Sequence, residues 1–341
     1  MIVIVSLSLL AMGFVMSMKV ETRLARNSQS RPDMDWLGRS GVELARYVLA
    51  QSLNNPTEPY DSLNQFWAGG YGGTNLFQSD ITLENVTLGQ GVINVRITDM
   101  ERRFNINIAS QPILQQALIV MGVDAAASGT IIGSIQDWID PDDDPHIGGT
   151  ETAFYQQLSP PYTAKNGPLD DISEMLMING ITPDMYWGTG GSGGSYVNRS
   201  IPTVIKPVGF PEGIVYPVGF VDLFSTLSDA RLNINTAGPY ALQLIPGMDE
   251  NRASSILSLR DGPDGQPGTE DDRPFRGVGD LAGVPGMDPA LLQQLSAYCN
   301  VRSVTFEVEV EARIGELTRT YIAVVRRNNP KDIPILQFYW K

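Results

Sequence analysis

The chain has 341 residues, enough for two or three modules rather than one small core. Its net charge of −14 makes a polyanion such as DNA a poor partner and suits a soluble surface, or one that binds cations. One cysteine, Cys299, and one histidine, His146, exclude an intrachain disulfide, a CxxC redox motif, a cysteine-based zinc site and a His-rich metal site.

Met1 to Met18 carries no charge and no proline, at the lower edge of the roughly 20 residues a spanning helix needs. It has no basic segment ahead of it and no small-residue cleavage site, so a removed signal peptide is the weaker reading. Lys19, Glu21, Arg23 and Arg26 then switch the pattern to amphipathic, and by charge bias alone they favour a cytoplasmic location for that flank. Pro32 is expected to break or kink the helix. Helical spacing resumes at Trp36, Leu37, Val42, Leu44, Tyr47, Val48 and Leu49, and the face carrying Trp36, Val42, Leu44, Tyr47 and Val48 is expected to pack on a sheet.

Asp80–Leu88 and Val92–Asp99 read as a hairpin around Gly89-Gln90-Gly91. Val301–Arg313 alternates clearly and pairs with Thr318–Arg327 through Ile314-Gly315-Glu316; Ile335–Trp340 extends this as an edge strand. Tyr71-Gly72-Gly73 reads as a flexible turn. Gly188 to Ser195 reads as a Gly/Ser linker, because it lacks the Lys and the strand-to-helix context of a phosphate loop.

Between these strand regions the sequence is duplicated. Arg103-Phe104-Asn105-Ile106-Asn107-Ile108-Ala109 returns as Arg231-Leu232-Asn233-Ile234-Asn235-Thr236-Ala237. Each copy leads into helices, then an acidic loop, then a second helical pair, Pro168–Tyr186 or Pro274–Leu292. The two Asn-x-Asn segments are expected to stand at equivalent entries of two similarly folded units. Leu244-Ile245-Pro246-Gly247-Met248-Asp249 and Val284-Pro285-Gly286-Met287-Asp288 resemble helix-hairpin-helix turns. In DNA-binding hairpins a second glycine lets backbone N–H groups approach a phosphate. Here Asp249 and Asp288 take that place and no Lys follows, so a packing hairpin is favoured over DNA binding.

Asp140, Asp142, Asp144 and Glu151 fall at positions one, three, five and twelve of a loop, the ligand spacing of an EF-hand. Pro145 replaces the glycine an EF-hand needs at position six, so a calcium loop of different geometry is expected. The run Asp142-Asp143-Asp144 repels itself, and a divalent cation removes that cost. The second loop, with Asp261, Asp264, Glu270, Asp271 and Asp272, follows the same logic with looser spacing, giving one or two ions in all. Oxygen-only ligands favour calcium over zinc or copper. Contiguous Asp residues in a Pro-rich loop poorly suit a general acid–base pair, and no nucleophile is evident, so catalysis is not expected.

The apolar N-terminal helix, Ile97-Thr98-Asp99 before Arg103-Phe104-Asn105-Ile106-Asn107, and Asp137-Trp138-Ile139-Asp140-Pro141-Asp142-Asp143 form an ordered series. Pro160-Pro161-Tyr162, Asn166-Gly167-Pro168 and Leu232-Asn233-Ile234-Asn235-Thr236-Ala237 continue it. Taken together they resemble the minor pseudopilin K family (GspK) of the type II secretion system, over most of the chain. The resemblance implies an α+β, pilin-like fold: a long N-terminal helix on an antiparallel sheet, with a large duplicated all-helical domain inserted in the sheet. The corresponding domains are 1–55 for the helix, 56–102 and 301–341 for the two parts of the sheet, and 103–300 for the insertion. Within the insertion the repeats are 103–186 and 231–292, joined by the linker and a strand-like segment. It also implies calcium binding, I- and J-type minor pseudopilin partners, a place at the pseudopilus tip, and a single-pass inner-membrane anchor with the bulk of the chain periplasmic. Prepilins carry a basic leader ending in Gly; an upstream start or a mature form would account for its absence before Met1. Major pilins carry a Glu near the start of the apolar run, where Met1 to Val5 are all apolar, as expected of a subunit with none above it. The alternatives are a membrane-tethered DNA receptor and a calcium-dependent adhesion module.

Overall fold

The computed structural model describes residues 2–71, 81–188 and 215–341. Most of Tyr71-Gly72-Gly73, and all but Gly188 of the linker with the strand-like segment after it, lie outside the described residues. The chain divides into two compact units. One holds Met1–Asn54, Asn75–Thr98 and Glu307–Lys341; the other holds Asn55–Thr74 and Asp99–Phe306.

The first unit is built on helix α1 (Ile2–Leu53) and five strands: β1 (Val86–Leu88), β2 (Gly91–Asp99), β3 (Thr305–Ile314), β4 (Leu317–Arg326) and β5 (Ile335–Trp340). They form one sheet in the order β1-β2-β3-β4-β5. β1 with β2 and β4 with β5 pair antiparallel. The turn between β3 and β4 is two residues long, with Gly315 at φ 58°, a left-handed conformation that matches strand twist in a tight hairpin. The strands flanking the long excursion are therefore neighbours, β2 beside β3. β1 is shorter than expected because Asn85 takes a positive φ of 52° and its N–H donates to the Asn94 side chain at 2.7 Å. β3 begins only at Thr305.

Helix α1 runs through Pro32 without ending. One lost backbone hydrogen bond there costs about 3 kcal/mol. Burial of Met34, Leu37, Val42, Ala45, Val48 and Leu49 on the following turns offsets it. These residues recur at helical spacing; of the expected face Val42 and Val48 are buried and Leu44 is half-buried, but Trp36 and Tyr47 are not part of the stripe. Trp36 is 69% and Tyr47 48% exposed. The contact face is centred instead on Gly38 and Gly41, where a Cβ would collide with the Tyr321 ring and the Val310 side chain. Two glycines let the helix approach β3 and β4 more closely than bulky side chains would. The Tyr321 hydroxyl donates to Asp35 at 2.6 Å, and Arg319 lies 4.6 Å from the Trp340 ring centre. Among the described residues, no helix is long and apolar enough to cross a membrane.

The second unit carries the duplication. Besides the one-turn helices Thr152–Tyr155 and Phe220–Leu223, its helices among the described residues are α2 (Gln111–Met121), α3 (Ala125–Ile139) and α4 (Pro183–Trp187) in the first copy, and α5 (Pro239–Gln243), α6 (Glu250–Arg260) and α7 (Pro289–Tyr298) in the second. Each copy has a 3-10 turn before its last helix, Ile172–Met177 or Val278–Gly283. The domain is not purely helical. Phe104–Asn105 pairs in parallel with Phe224–Ser225, and Leu232–Asn233 with Cys299–Asn300.

The repeated Asn residues do the same work twice. Asn105 and Asn233 accept from the N–H two residues on, at 3.0 and 2.9 Å. Asn107 holds both backbone groups of Leu169, 62 residues later, and Asn235 holds both of Phe275, 40 residues later. Glu174 then accepts from Asp170 and Asp171, as Asp280 does from Arg276 and Gly277.

Residues 55–71 were expected to belong with the sheet, yet they group with the helical unit. Polar anchoring explains this. The Asp61 N–H donates to the Val301 carbonyl at 2.8 Å, and its carboxylate accepts from Ser303 at 2.9 Å. Trp67 packs edge-on to Phe306, and its indole N–H reaches Gln65.

Candidate metal centre

Helix α3 ends at Ile139, and Pro141 holds the next residue, Asp140, in an extended conformation with ψ 162°. Asp137 and Asp140, three apart, share a helix face. The loop then turns back through Gly148, at φ 82°, and Gly149, which lies so close to the Asp137 carboxylate that a Cβ would collide with it. Glu151 stands before the one-turn helix Thr152–Tyr155, but its side chain caps nothing. It turns inward and is 6% exposed.

This geometry gathers Asp140, Asp142 and Glu151, each with a carboxylate oxygen within 4.8 Å of the others. Both Glu151 oxygens and Asp140 Oδ1 are buried without a hydrogen-bond partner. Burial, then the charges of Asp137, Asp140, Asp143 and Asp142, push the Glu151 carboxyl up to about 7. Burial and Asp142 also raise Asp140. Bare, mutually repelling carboxylate oxygens that none of the described residues satisfies are what an oxygen-binding cation would neutralise.

Of the residues singled out from spacing, Asp140, Asp142 and Glu151 converge. Asp143 is instead turned to the Asn166 amide at 3.0 Å. Asp144 does not join them; its N–H donates to Asp142 at 3.0 Å. Sequence reading missed Asp137 and His146. The Asp137 Oδ1 accepts from the His146 backbone N–H at 2.9 Å and lies 2.7 Å from the His146 ring Nδ1. The signal for Asp137 was its place three residues before Asp140 on a helix.

The second loop is arranged otherwise. Asp261 is buried against Arg260 at 2.7 Å. Asp264 accepts from the Gln266 N–H, Asp271 from the Asp264 N–H and the Thr269 hydroxyl, and Asp272 from the Gly268 N–H. The Thr269 hydroxyl bond lowers Asp271. Glu270 is exposed. Among the described residues, no three acidic groups of this loop converge within one ion's reach.

Among the described residues the hairpin turns number four rather than the two recognised in the sequence. Gly122-Val123-Asp124, Gly180-Ile181-Thr182, Gly247-Met248-Asp249 and Gly286-Met287-Asp288 all place glycine at φ between 78° and 87°. In each, the third residue's side chain caps the following helix, accepting from Ala126, Met185, Arg252 or Ala290. The acidic residue that replaces the second glycine therefore takes a helix-start N–H that a phosphate would need.

A long N-terminal helix laid on an antiparallel sheet, with a duplicated helical domain entering between two neighbouring strands, defines a pilin-like α+β protein with an inserted α-domain. Comparison with known proteins gives the particular family. Residues 92–187 match the family described as type II secretion system (T2SS), protein K. Type II secretion system protein K of Klebsiella pneumoniae is 27% identical over 195 residues, covering 53% of this chain and 57% of that protein. Its counterpart in Pseudomonas aeruginosa (strain PAO1) is 23% identical, covering 76% of this chain and 70% of that protein. The chain thus spans less than two thirds of the Klebsiella relative. The fold is that of a chain in the crystal structure of the GspK-GspI-GspJ complex from enterotoxigenic Escherichia coli, with TM-score 0.64 and 21% identity over 93% of this chain and 99% of that one. Together these likenesses support the type II secretion system protein K family for this chain.

Proposed function

We propose that this protein is a minor pseudopilin that caps the tip of a type II secretion pseudopilus and acts by assembly, not catalysis. The observation that carries this is the insertion of the helical unit between neighbouring strands β2 and β3 of a pilin-like sheet. Such a bulky domain suits a subunit with no further subunit above it. Its partners in this reading are I- and J-type minor pseudopilins, the named companions of the K-type chain in the similar complex.

The apolar run before Lys19 is the assembly element. Val3, Ile4, Leu7, Leu10 and Phe14 are all exposed along it. We place this run in the inner membrane before assembly and in a bundle of partner helices afterwards, with the bulk of the chain periplasmic. The DNA-receptor reading draws nothing from the hairpins, whose helix starts are capped by side chains of the chain itself.

Calcium is proposed at Asp140, Asp142 and Glu151, with Asp143 and Asp144 as outer carboxylates that keep the loop negative. Hard oxygen donors suit that ion, and it would neutralise the repelling cluster. Asp261, Asp264, Glu270, Asp271 and Asp272 offer a weaker second position, since most of them already hold donors of their own loop. The assembly reading is tested by producing residues 30–341 together with I- and J-type minor pseudopilins of the same source. A stable ternary complex is expected; three proteins that elute separately at micromolar concentration would contradict it.

A further inference from the structure

His146 is the chain's single histidine, and the calcium reading gives it no role. Its Nδ1 lies 2.7 Å from Asp137 Oδ1 and 3.4 Å from Asp140 Oδ2. One ligand atom from each of Asp137, Asp140 and His146 falls within 4.8 Å of the others, a second gathered group that shares Asp140 with the first. Asp137 is fully buried, and its Oδ2 has no hydrogen-bond partner. Both His146 contacts fall on Asp137 Oδ1, so the second oxygen of this buried carboxylate is left without a donor, a costly arrangement for a mere loop clasp.

We propose that His146, Asp137 and Asp140 form a second metal position that takes a borderline transition-metal ion of the zinc class, beside the oxygen-only calcium position. An imidazole nitrogen draws such an ion away from calcium's preference for oxygen alone. Across a tetrahedral ion with ligand distances of roughly 2.0–2.1 Å, neighbouring donor atoms stand about 3.3 Å apart. The His146–Asp140 distance already matches. The His146–Asp137 contact has to open by about 0.6 Å, as the ion replaces the proton shared there. The His146 ring is 46% exposed, which gives it room for that shift and leaves the outer side of the position to water. Three protein donors plus water is a coordination set that zinc accepts.

The inference stands on Asp137 and His146 and is independent of the assembly role. Because it shares Asp140 with the calcium position, its test keeps the two ions apart. The untagged full chain, in detergent micelles and labelled with nitrogen-15 in histidine, shows a single histidine ring by NMR. In millimolar calcium, one equivalent of zinc is expected to shift one ring nitrogen, while calcium alone leaves the ring unmoved. In equilibrium dialysis, His146→Gln should lower zinc affinity on the order of 10-fold or more while calcium stays bound. Glu151→Gln should do the reverse. A ring unmoved by saturating zinc overturns the proposal, and wild-type zinc affinity in His146→Gln does the same. Zinc that binds only when calcium is absent refutes two adjacent positions. Calcium that never binds, with the zinc shift intact, removes the calcium reading and leaves this one standing.

Discussion

The two acidic loops arise from one duplication and carry similar numbers of carboxylates, yet they spend them differently. In Asp261–Asp272 most carboxylates accept N–H or hydroxyl groups of the same loop, and Asp261 neutralises the buried Arg260, which also donates to the carbonyls of Ile234 and Ala237. In the first loop, Pro141 and Pro145 supply no N–H, and Glu151 and Asp140 keep buried oxygens without donors. A count of acidic residues does not distinguish a cation site from a self-bonded turn. The two loops differ in their supply of local donors.

This contrast breaks most visibly at Asp261. Asp261→Ala leaves Arg260 buried without that carboxylate and should cost about 3–5 kcal/mol in chemical denaturation. Calcium should not restore the loss, because the pair belongs to the core. A loss restored by calcium would mean that the second loop is a cation site after all.

Glu151→Gln sharpens the other side. Without calcium the variant should be at least as stable as the parent, since one repelling charge is gone. At free calcium near 100 times its dissociation constant, the parent should gain about 2.7 kcal/mol, or roughly 5–10 °C in Tm, and the variant should not. Differential scanning calorimetry with calcium and then chelator reads both.

The pH dependence has a definite sign. The Glu151 carboxyl is raised in the folded state from its usual value to about 7. Between the unfolded value near 4.5 and 7 the folded chain binds more protons. The calcium-free protein should therefore lose stability as pH rises through that window, and saturating calcium should flatten the loss. The same titration of Glu151→Gln should lack this component. The smallest effect is expected for Asp144→Asn, within about 0.5 kcal/mol of the parent in calcium-free stability.

Much of this fold was legible in the sequence, because alternation and Asn-x-Asn repetition each reflect a local geometric need. β2, β3 and β4 follow their alternating residues, and Asn107 and Asn235 hold equivalent backbone segments. What escaped was set by tertiary contact. Gly38 and Gly41 carry no hydrophobic signal, yet they make the closest helix–sheet approach, while Trp36 and Tyr47 are left exposed. Residues 55–71 look like a loose connection but are anchored by Asp61 and Trp67. At the first acidic loop, spacing singled out Asp140, Asp142 and Glu151, whose carboxylates converge. It missed Asp137 because that residue joins the site from a helix face rather than along the loop. Two of the four hairpins went unrecognised because their capping residues follow Gly122-Val123 and Gly180-Ile181, without the Pro-Gly that marks the other pair.

The most direct test of the account is calcium stoichiometry by equilibrium dialysis on the full chain, its Glu151→Gln variant and its Asp271→Asn variant. One tightly held calcium is expected in the parent, the same ion with unchanged affinity in Asp271→Asn, and its loss in Glu151→Gln. Calcium retained by Glu151→Gln but lost from Asp271→Asn would contradict it, because the cation would then belong to the loop whose carboxylates hold their own donors.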